Sequence, residues 1–198
     1  MGGSGSGYRW DKKDTTESQH RVDIRYLRQN GFLRSGCTGT LTWTNSGEET
    51  GSIRFQVING FINLNYRIRE YGDQWEDIKE PVELTWTPCN FGGKRPWFIC
   101  PAKGCGRRVA VIYGAGRYFA CRHCYNLTYA SQQESIYERA SRKSRKIIKR
   151  LGGEPFDNPY PKKPKHMHWK TYNRLIAEAE YHEDMSWKLA ERHFGTFF

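Results

Sequence analysis

Trp97-Phe98-Ile99-Cys100-Pro101-Ala102-Lys103-Gly104-Cys105-Gly106 and, after a gap of fifteen residues from Cys105, Cys121-Arg122-His123-Cys124 decide how this chain is read. The order C-x4-C, gap, C-x2-C is the spacing of a tetrahedral all-thiolate zinc site of ribbon type. Each pair ends an extended apolar run: Trp97-Phe98-Ile99 leads into the first, Arg117-Tyr118-Phe119-Ala120 into the second. Between them Arg107 to Tyr113 reads as a further strand, followed by the turn Gly114-Ala115-Gly116. Two knuckles on facing hairpins would bring Cys100, Cys105, Cys121 and Cys124 to one point around one structural Zn2+. Two disulfides or four buried thiols are the competing readings. His123, inside the second knuckle, is expected to point outward. Cys37 and Cys89 have no close cysteine or histidine partner in sequence and read as buried free thiols.

Working outward, 198 residues allow one medium domain or two small ones. No apolar run is long enough to cross a membrane, and the opening Met1-Gly2-Gly3-Ser4-Gly5-Ser6-Gly7 lacks the apolar stretch of a secretory signal. The expectation is a reducing cytoplasm, in which paired cysteines hold metal. Composition alone leaves open whether that opening is an engineered linker or a natural flexible arm. The net charge of +11 is concentrated rather than spread. Residues 1–83 hold eleven Lys/Arg against twelve Asp/Glu, whereas residues 84–130 hold seven Lys/Arg and no acid. Residues 131–170 hold eleven bases against four acids, and residues 171–198 three against five. An excess on one contiguous stretch is the footprint of a surface that binds a polyanion.

The chain reads as an α+β protein. A flexible arm over 1–14 precedes a helix from Thr15 to Gln29, with Thr16 or Ser18 capping it, Val22, Tyr26 and Leu27 as its stripe, and Asn30-Gly31 stopping it. Then the period becomes two. Thr38–Thr44, Ser52–Ile58, Phe61–Arg69 and Glu80–Thr87 alternate, with turns at Asn45-Ser46-Gly47-Glu48, Asn59-Gly60 and Tyr71-Gly72-Asp73-Gln74. That is an antiparallel meander over 15–88, fused to a four-cysteine zinc ribbon over 89–130. The junction Pro88–Pro96 is short and irregular, so the two are expected to pack as one body; independent modules are the alternative. Over 131–198 the reading is a basic helix, a Pro/Lys loop and a last helix from Trp169 to about Phe194. The basic helix has the apolar stripe Ile136, Ala140, Ile147, Leu151 and a stop at Gly152-Gly153.

The stretches Trp86-Thr-Pro-Cys-Asn-Phe-Gly-Gly-Lys-Arg-Pro-Trp-Phe-Ile-Cys100, Cys105-Gly-Arg-Arg-Val109, Tyr118-Phe-Ala-Cys-Arg-His-Cys124 and Tyr129-Ala-Ser-Gln132 resemble a family of small bacterial and prophage-borne zinc-ribbon proteins without an assigned function. The resemblance extends over most of the chain, including the Gly/Ser opening and Lys163-Pro-Lys-His-Met-His-Trp169. It implies a natural arm, zinc, and a bacterial or phage setting. It supplies no activity and no catalytic residue.

Zinc held by four cysteines has no open position and is structural. It would leave Lys103, Arg107, Arg108, Arg117 and Arg122 to project from the knuckles. With Arg139, Arg142, Lys143, Arg145, Lys146, Lys149 and Arg150 of the basic helix, and Lys162, Lys163 and Lys165 of the loop, they form the expected nucleic-acid-binding set, for DNA or RNA. Tyr113, Tyr118, Phe119 and Tyr125 either stack on bases or, more in keeping with their number, fill the ribbon's core. Two other classes stay open. One is an adaptor or inhibitor docking on a larger protein machine, such as a host polymerase or defence complex, through the neutral meander. The other is a metal-dependent nuclease using His123, His166 and His168, for which no acid or asparagine partner is recognisable.

Overall fold

The computed structural model describes residues 12–69 and 74–195. The arm expected over 1–14 therefore lies outside the described residues as far as residue 11, as does most of the turn at Tyr71–Asp73. The elements are β1 (Arg21–Asp23), α1 (Ile24–Gln29), β2 (Thr38–Asn45), β3 (Glu48–Ile58), β4 (Phe61–Ile68), β5 (Glu76–Pro88), β6 (Lys94–Ile99), β7 (Arg108–Val109), β8 (Val111–Tyr113), α2 (Ala130–Gln133), α3 (Ile136–Arg150) and α4 (Trp169–Phe194). The chain divides into two compact units between Tyr129 and Ala130.

In the first unit β2 to β7 form one six-stranded antiparallel sheet in chain order, and β1 pairs with β8 in a second, two-stranded one. The meander follows from its turns. Ser46-Gly47 and Asn59-Gly60 have positive φ at both residues, the two-residue hairpin geometry whose twist matches that of the flanking strands. Period-two alternation then places Ile53, Phe55, Val57, Ile62, Leu64, Val82, Leu84 and Phe98 on one buried face. Against it pack Val22, Ile24 and Leu27 from β1 and α1, Ile112 from β8, and Phe119. The fit is close at Gly39, where a Cβ would sit 2.8 Å from the Phe55 ring. Gly39→Ala is accordingly expected to lower stability by about 1–3 kcal/mol, read from thermal or urea unfolding.

Three sequence expectations are corrected here. The helix read over Thr15–Gln29 is confined to Ile24–Gln29 and capped by Asp23, whose side chain accepts from Arg25 N–H. Residues 21–23 are instead taken into a sheet with Val111–Tyr113, and Thr16 N–H donates to the Thr128 carbonyl. Pairing of high sequence separation has overridden a weak helical period. Lys13 is likewise fastened, Nζ to Asn126 Oδ1, so the end of the expected arm is tied down. The single strand read over Arg107–Tyr113 breaks at Ala110: Arg108–Val109 ends the large sheet and Val111–Tyr113 belongs to the small one. Lastly, Pro88–Pro96 is short, as expected, but not irregular: it is the end of the β5–β6 hairpin, in register from Leu84↔Phe98 to Pro88↔Lys94. β6, read as the ribbon's first strand, is thus a strand of the meander's own sheet.

In the second unit α3 packs on α4. The helix read from Ser131 is interrupted before Ser135, because Ser135 and Glu138 form a reciprocal capping box that starts α3 afresh. Its buried stripe is Ala140, Ser144 and Ile148, closed by Leu151, while Ile136 is 70% exposed. α4 begins at Trp169, as expected, but Trp169 is exposed beside Tyr172 rather than anchoring the helix.

Candidate metal centre and basic surfaces

Cys100 directly follows β6, and its N–H donates to the Arg107 carbonyl across the turn (2.8 Å). Cys105 N–H donates to the Ala102 carbonyl (2.9 Å), and Gly104 and Gly106 on either side have positive φ, which this tight loop requires. The second pair sits in a single turn closed by Cys124 N–H to the Cys121 carbonyl (3.0 Å), and Asn126, in the left-handed region, leads out of it. The two loops face each other. The Sγ atoms of Cys100 and Cys124 are 3.8 Å apart, those of Cys105 and Cys121 3.8 Å, and those of Cys121 and Cys124 3.6 Å.

Those separations discriminate between the readings. A disulfide needs about 2.05 Å, so none of these pairs is one. A tetrahedron with metal–sulfur bonds of about 2.3 Å has edges of about 3.8 Å, and all four sulfurs lie within 4.8 Å of one another. Four free thiols have no reason to converge with these edges. The donor set therefore suits a metal ion, and with every tetrahedral position filled by protein the role is structural.

Backbone donors favour the thiolate form at two of the sulfurs. Cys121 N–H points at Cys100 Sγ (3.3 Å), and an N–H from Arg107 lowers the Cys105 thiol to about 7. Cys100 and Cys124 are pushed up instead, chiefly by desolvation of sulfurs crowded together. Without a cation this cluster cannot ionise fully; with one, the N–H donors are already in place. Among the described residues these cysteines are the only group of three or more Cys, His, Asp or Glu side chains placed to hold a metal, so no histidine centre is assembled from them. His123 is exposed, as expected. Cys37 is half-buried against the core, but Cys89 is exposed in the β5–β6 turn, which corrects its reading as a buried thiol.

A buried carboxyl that sequence reasoning missed braces the second knuckle from the sheet. Glu80 on β5 is 6% exposed and accepts from Phe119 N–H at Oε2 (2.9 Å). The Tyr66 hydroxyl lies 2.7 Å from that same oxygen and 3.0 Å from the Arg117 carbonyl. The Tyr66 hydroxyl donates toward both oxygens as a three-centre bond, in a site closed to water. Burial accordingly raises the Glu80 carboxyl above its ordinary 4.5. A folded-state pKa above the unfolded one means stability that is full at low pH and is lost as pH rises through the folded value. Glu80→Gln should therefore gain on the natural protein as pH rises above the ordinary carboxylate range, seen as a shrinking gap in urea midpoint. The signal in sequence was the interruption of the alternating apolar run Ile78, Glu80, Val82, Leu84.

The expected basic residues fare unequally. In the first unit Lys103, Arg107 and Arg108 are exposed around the first knuckle, and the Arg122 guanidinium lies 5.1 Å from the Tyr129 ring. Arg117 is taken by an ion pair with Glu76 and covers Tyr118. Of the four aromatics, Tyr113 and Phe119 are buried, Tyr125 is half-buried, and Tyr118 is 49% exposed. In the second unit Arg139, Arg142, Lys143, Lys146, Lys149 and Arg150 fall within about 120° of the α3 circumference, opposite its buried stripe. Arg142 is bound by Glu134, and Arg139 reaches the Glu134 carbonyl. Lys143, Lys146, Lys149 and Arg150 are exposed and make no ion pair among the described residues. Arg145 is half-buried over Phe156. In the loop Lys162 and Lys165 are exposed, while Lys163 folds back on the carbonyls of Pro164 and Met167. Arg95, absent from the expected set, stacks 4.2 Å from the Trp97 ring. No family model matches the chain, and neither the curated proteins nor the solved structures contain a match to it.

Proposed function

We propose that this protein is a zinc-ribbon nucleic-acid-binding accessory factor. The observation that carries the reading is the stripe on α3: six cations over about 17 Å of one face, five of them without a carboxylate partner among the described residues. A solvated helix face ordinarily interleaves acids for i,i+4 pairing, and between Arg139 and Arg150 this one has none. Such a row contacts backbone phosphates and releases their counterions. The knuckle cations Lys103, Arg107 and Arg108, on a segment with no acid at all, are a second set of phosphate contacts. Zinc is the ion that suits four thiolates with these edges, and it acts by fixing the knuckles rather than by chemistry. The sequence resemblance puts the factor in a phage or other mobile element.

The test is fluorescence anisotropy of the zinc-loaded protein with labelled duplex DNA, single-stranded DNA and hairpin RNA over a salt series. Binding should weaken steeply with salt. Reversing Lys143, Lys146 and Arg150 to Glu should lower affinity at least tenfold and flatten the log–log salt slope by about 0.9 per phosphate contact removed on duplex DNA. Affinity untouched by the triple change would refute this interface. The exposed aromatics of α4, Tyr181 and Trp187, would then favour the adaptor reading.

A further inference from the structure

The β5–β6 hairpin runs on past the core. Its last buried cross-strand pair is Leu84↔Phe98, and from there the strands continue through Thr85↔Trp97, Trp86↔Pro96 and Thr87↔Arg95 to Pro88↔Lys94. The end is a defined turn: Cys89 N–H donates to the Gly93 carbonyl (3.1 Å), Gly92 N–H to the Cys89 carbonyl (3.0 Å), and Gly92 and Gly93 have positive φ. At its apex Phe91 is 104% exposed, so its ring covers nothing in the protein. Folding makes no use of that ring. Trp86 on one face is 42% exposed, and on the other Arg95 lies over Trp97, whose Nε1–H donates to Thr87 Oγ1 (2.9 Å).

An unburied aromatic on a hydrogen-bonded turn, with Lys94 and Arg95 just behind it, suits a partner with flat apolar faces set among anionic groups. Unstacked bases between phosphates have that chemistry. The charge supports this occupant: from residue 84 to residue 130 there is no acidic side chain to repel a phosphate. We propose that the β5–β6 hairpin is a stacking wedge, Phe91 inserting at an unpaired or bulged base while Lys94 and Arg95 hold the flanking phosphates. The substrate class is then a helix carrying a defect rather than a uniform duplex. This inference rests on the nucleic-acid reading above.

The experiment compares the zinc-loaded full chain on a fully paired duplex and on the same duplex with one bulged 2-aminopurine. The natural protein should prefer the bulged duplex by about tenfold and change the 2-aminopurine fluorescence. Phe91→Ala should abolish both the preference and the fluorescence change while leaving affinity for the paired duplex intact; Phe91→Trp should retain both. A bulge preference that survives Phe91→Ala overturns the wedge, as does tight binding to the paired duplex with no preference for the bulge. Failure to bind either duplex overturns the wedge, and the nucleic-acid reading falls with it only if single-stranded DNA and hairpin RNA are also not bound at low salt. Phe91-dependent capture by phosphatidylserine-containing vesicles, with no effect on bulge preference, overturns it in favour of a bilayer.

Discussion

Metal removal from the four cysteines is expected to melt the two cysteine loops, residues 100–107 and 121–127, while leaving the β2–β6 sheet in place. Those loops have little else to hold them. Around the sulfurs the buried cluster is Cys100, Ala120 and Cys121, with Ala102, Cys105, Val109 and Tyr125 half-buried beside it. So small a cluster cannot order two loops against their conformational entropy. Structural zinc contributes on the order of 10 kcal/mol in zinc-finger peptides at neutral pH, and a metal held by these four sulfurs would contribute in the same way. The meander by contrast has its own core in Ile53, Phe55, Val57, Ile62, Leu64 and Val82. Hydrogen exchange with and without a strong chelator should show amides such as Cys105, Cys124 and Leu127 losing protection, with those of β3 and β4 retaining most of theirs. Cys121→Ser should mimic the chelator. Unchanged exchange at the knuckles after verified metal loss would show that packing alone maintains them.

The second large effect is expected from Phe98→Ala. Phe98 is fully buried, pairs with Leu84 on one side and Val109 on the other, and lies two residues before Cys100. Val109 touches both the main core and the small cluster around the sulfurs. Truncating the ring should cost about 3–5 kcal/mol and lower Tm on the order of 10 °C. It should also speed loss of metal to a chromogenic chelator, because the strand that delivers Cys100 is the strand that loses its anchor. If the meander and the knuckles were separate modules, stability would fall with metal release unchanged.

What the sequence made legible was what short-range rules govern. Two-residue turns with glycine, period-two alternation and the cysteine spacing led to β2 through β5 and to the convergence of the sulfurs, because each signal is local. Pairings between distant segments were not legible. Nothing in Arg21-Val22-Asp23 announces Val111–Tyr113 as its partner, and a helical reading survived there because Val22 and Leu27 are both buried, one in a strand and one in a helix. The place of Glu80 in an alternating apolar run hinted at its burial, but its partners Tyr66 and Phe119 were hidden because they come from other segments. The start of α3 could have been read: Ser135-x-x-Glu138 is a capping-box signature placed before an apolar stripe. The face count on α3 could also have excluded Arg145, which lies off the stripe that its six neighbours share.

The pairing of β1 with β8, and of Lys13 with Asn126 across 113 residues, has a consequence for how the chain folds as it is made. The hairpins of β2 to β5 need only neighbours and can form while synthesis is still under way. Residues 20–21 find Trp43 and Thr50 early, but the strand partner of residues 21–23 is complete only when residues 111–113 have left the ribosome, so β1 pairs late. Pairing of such high contact order is slow, and until it occurs the apolar layer under α1 and β1 stays open to solvent. Completion of this unit during synthesis is therefore timed by the arrival of the second cysteine pair, the same stretch that completes the four-sulfur cluster.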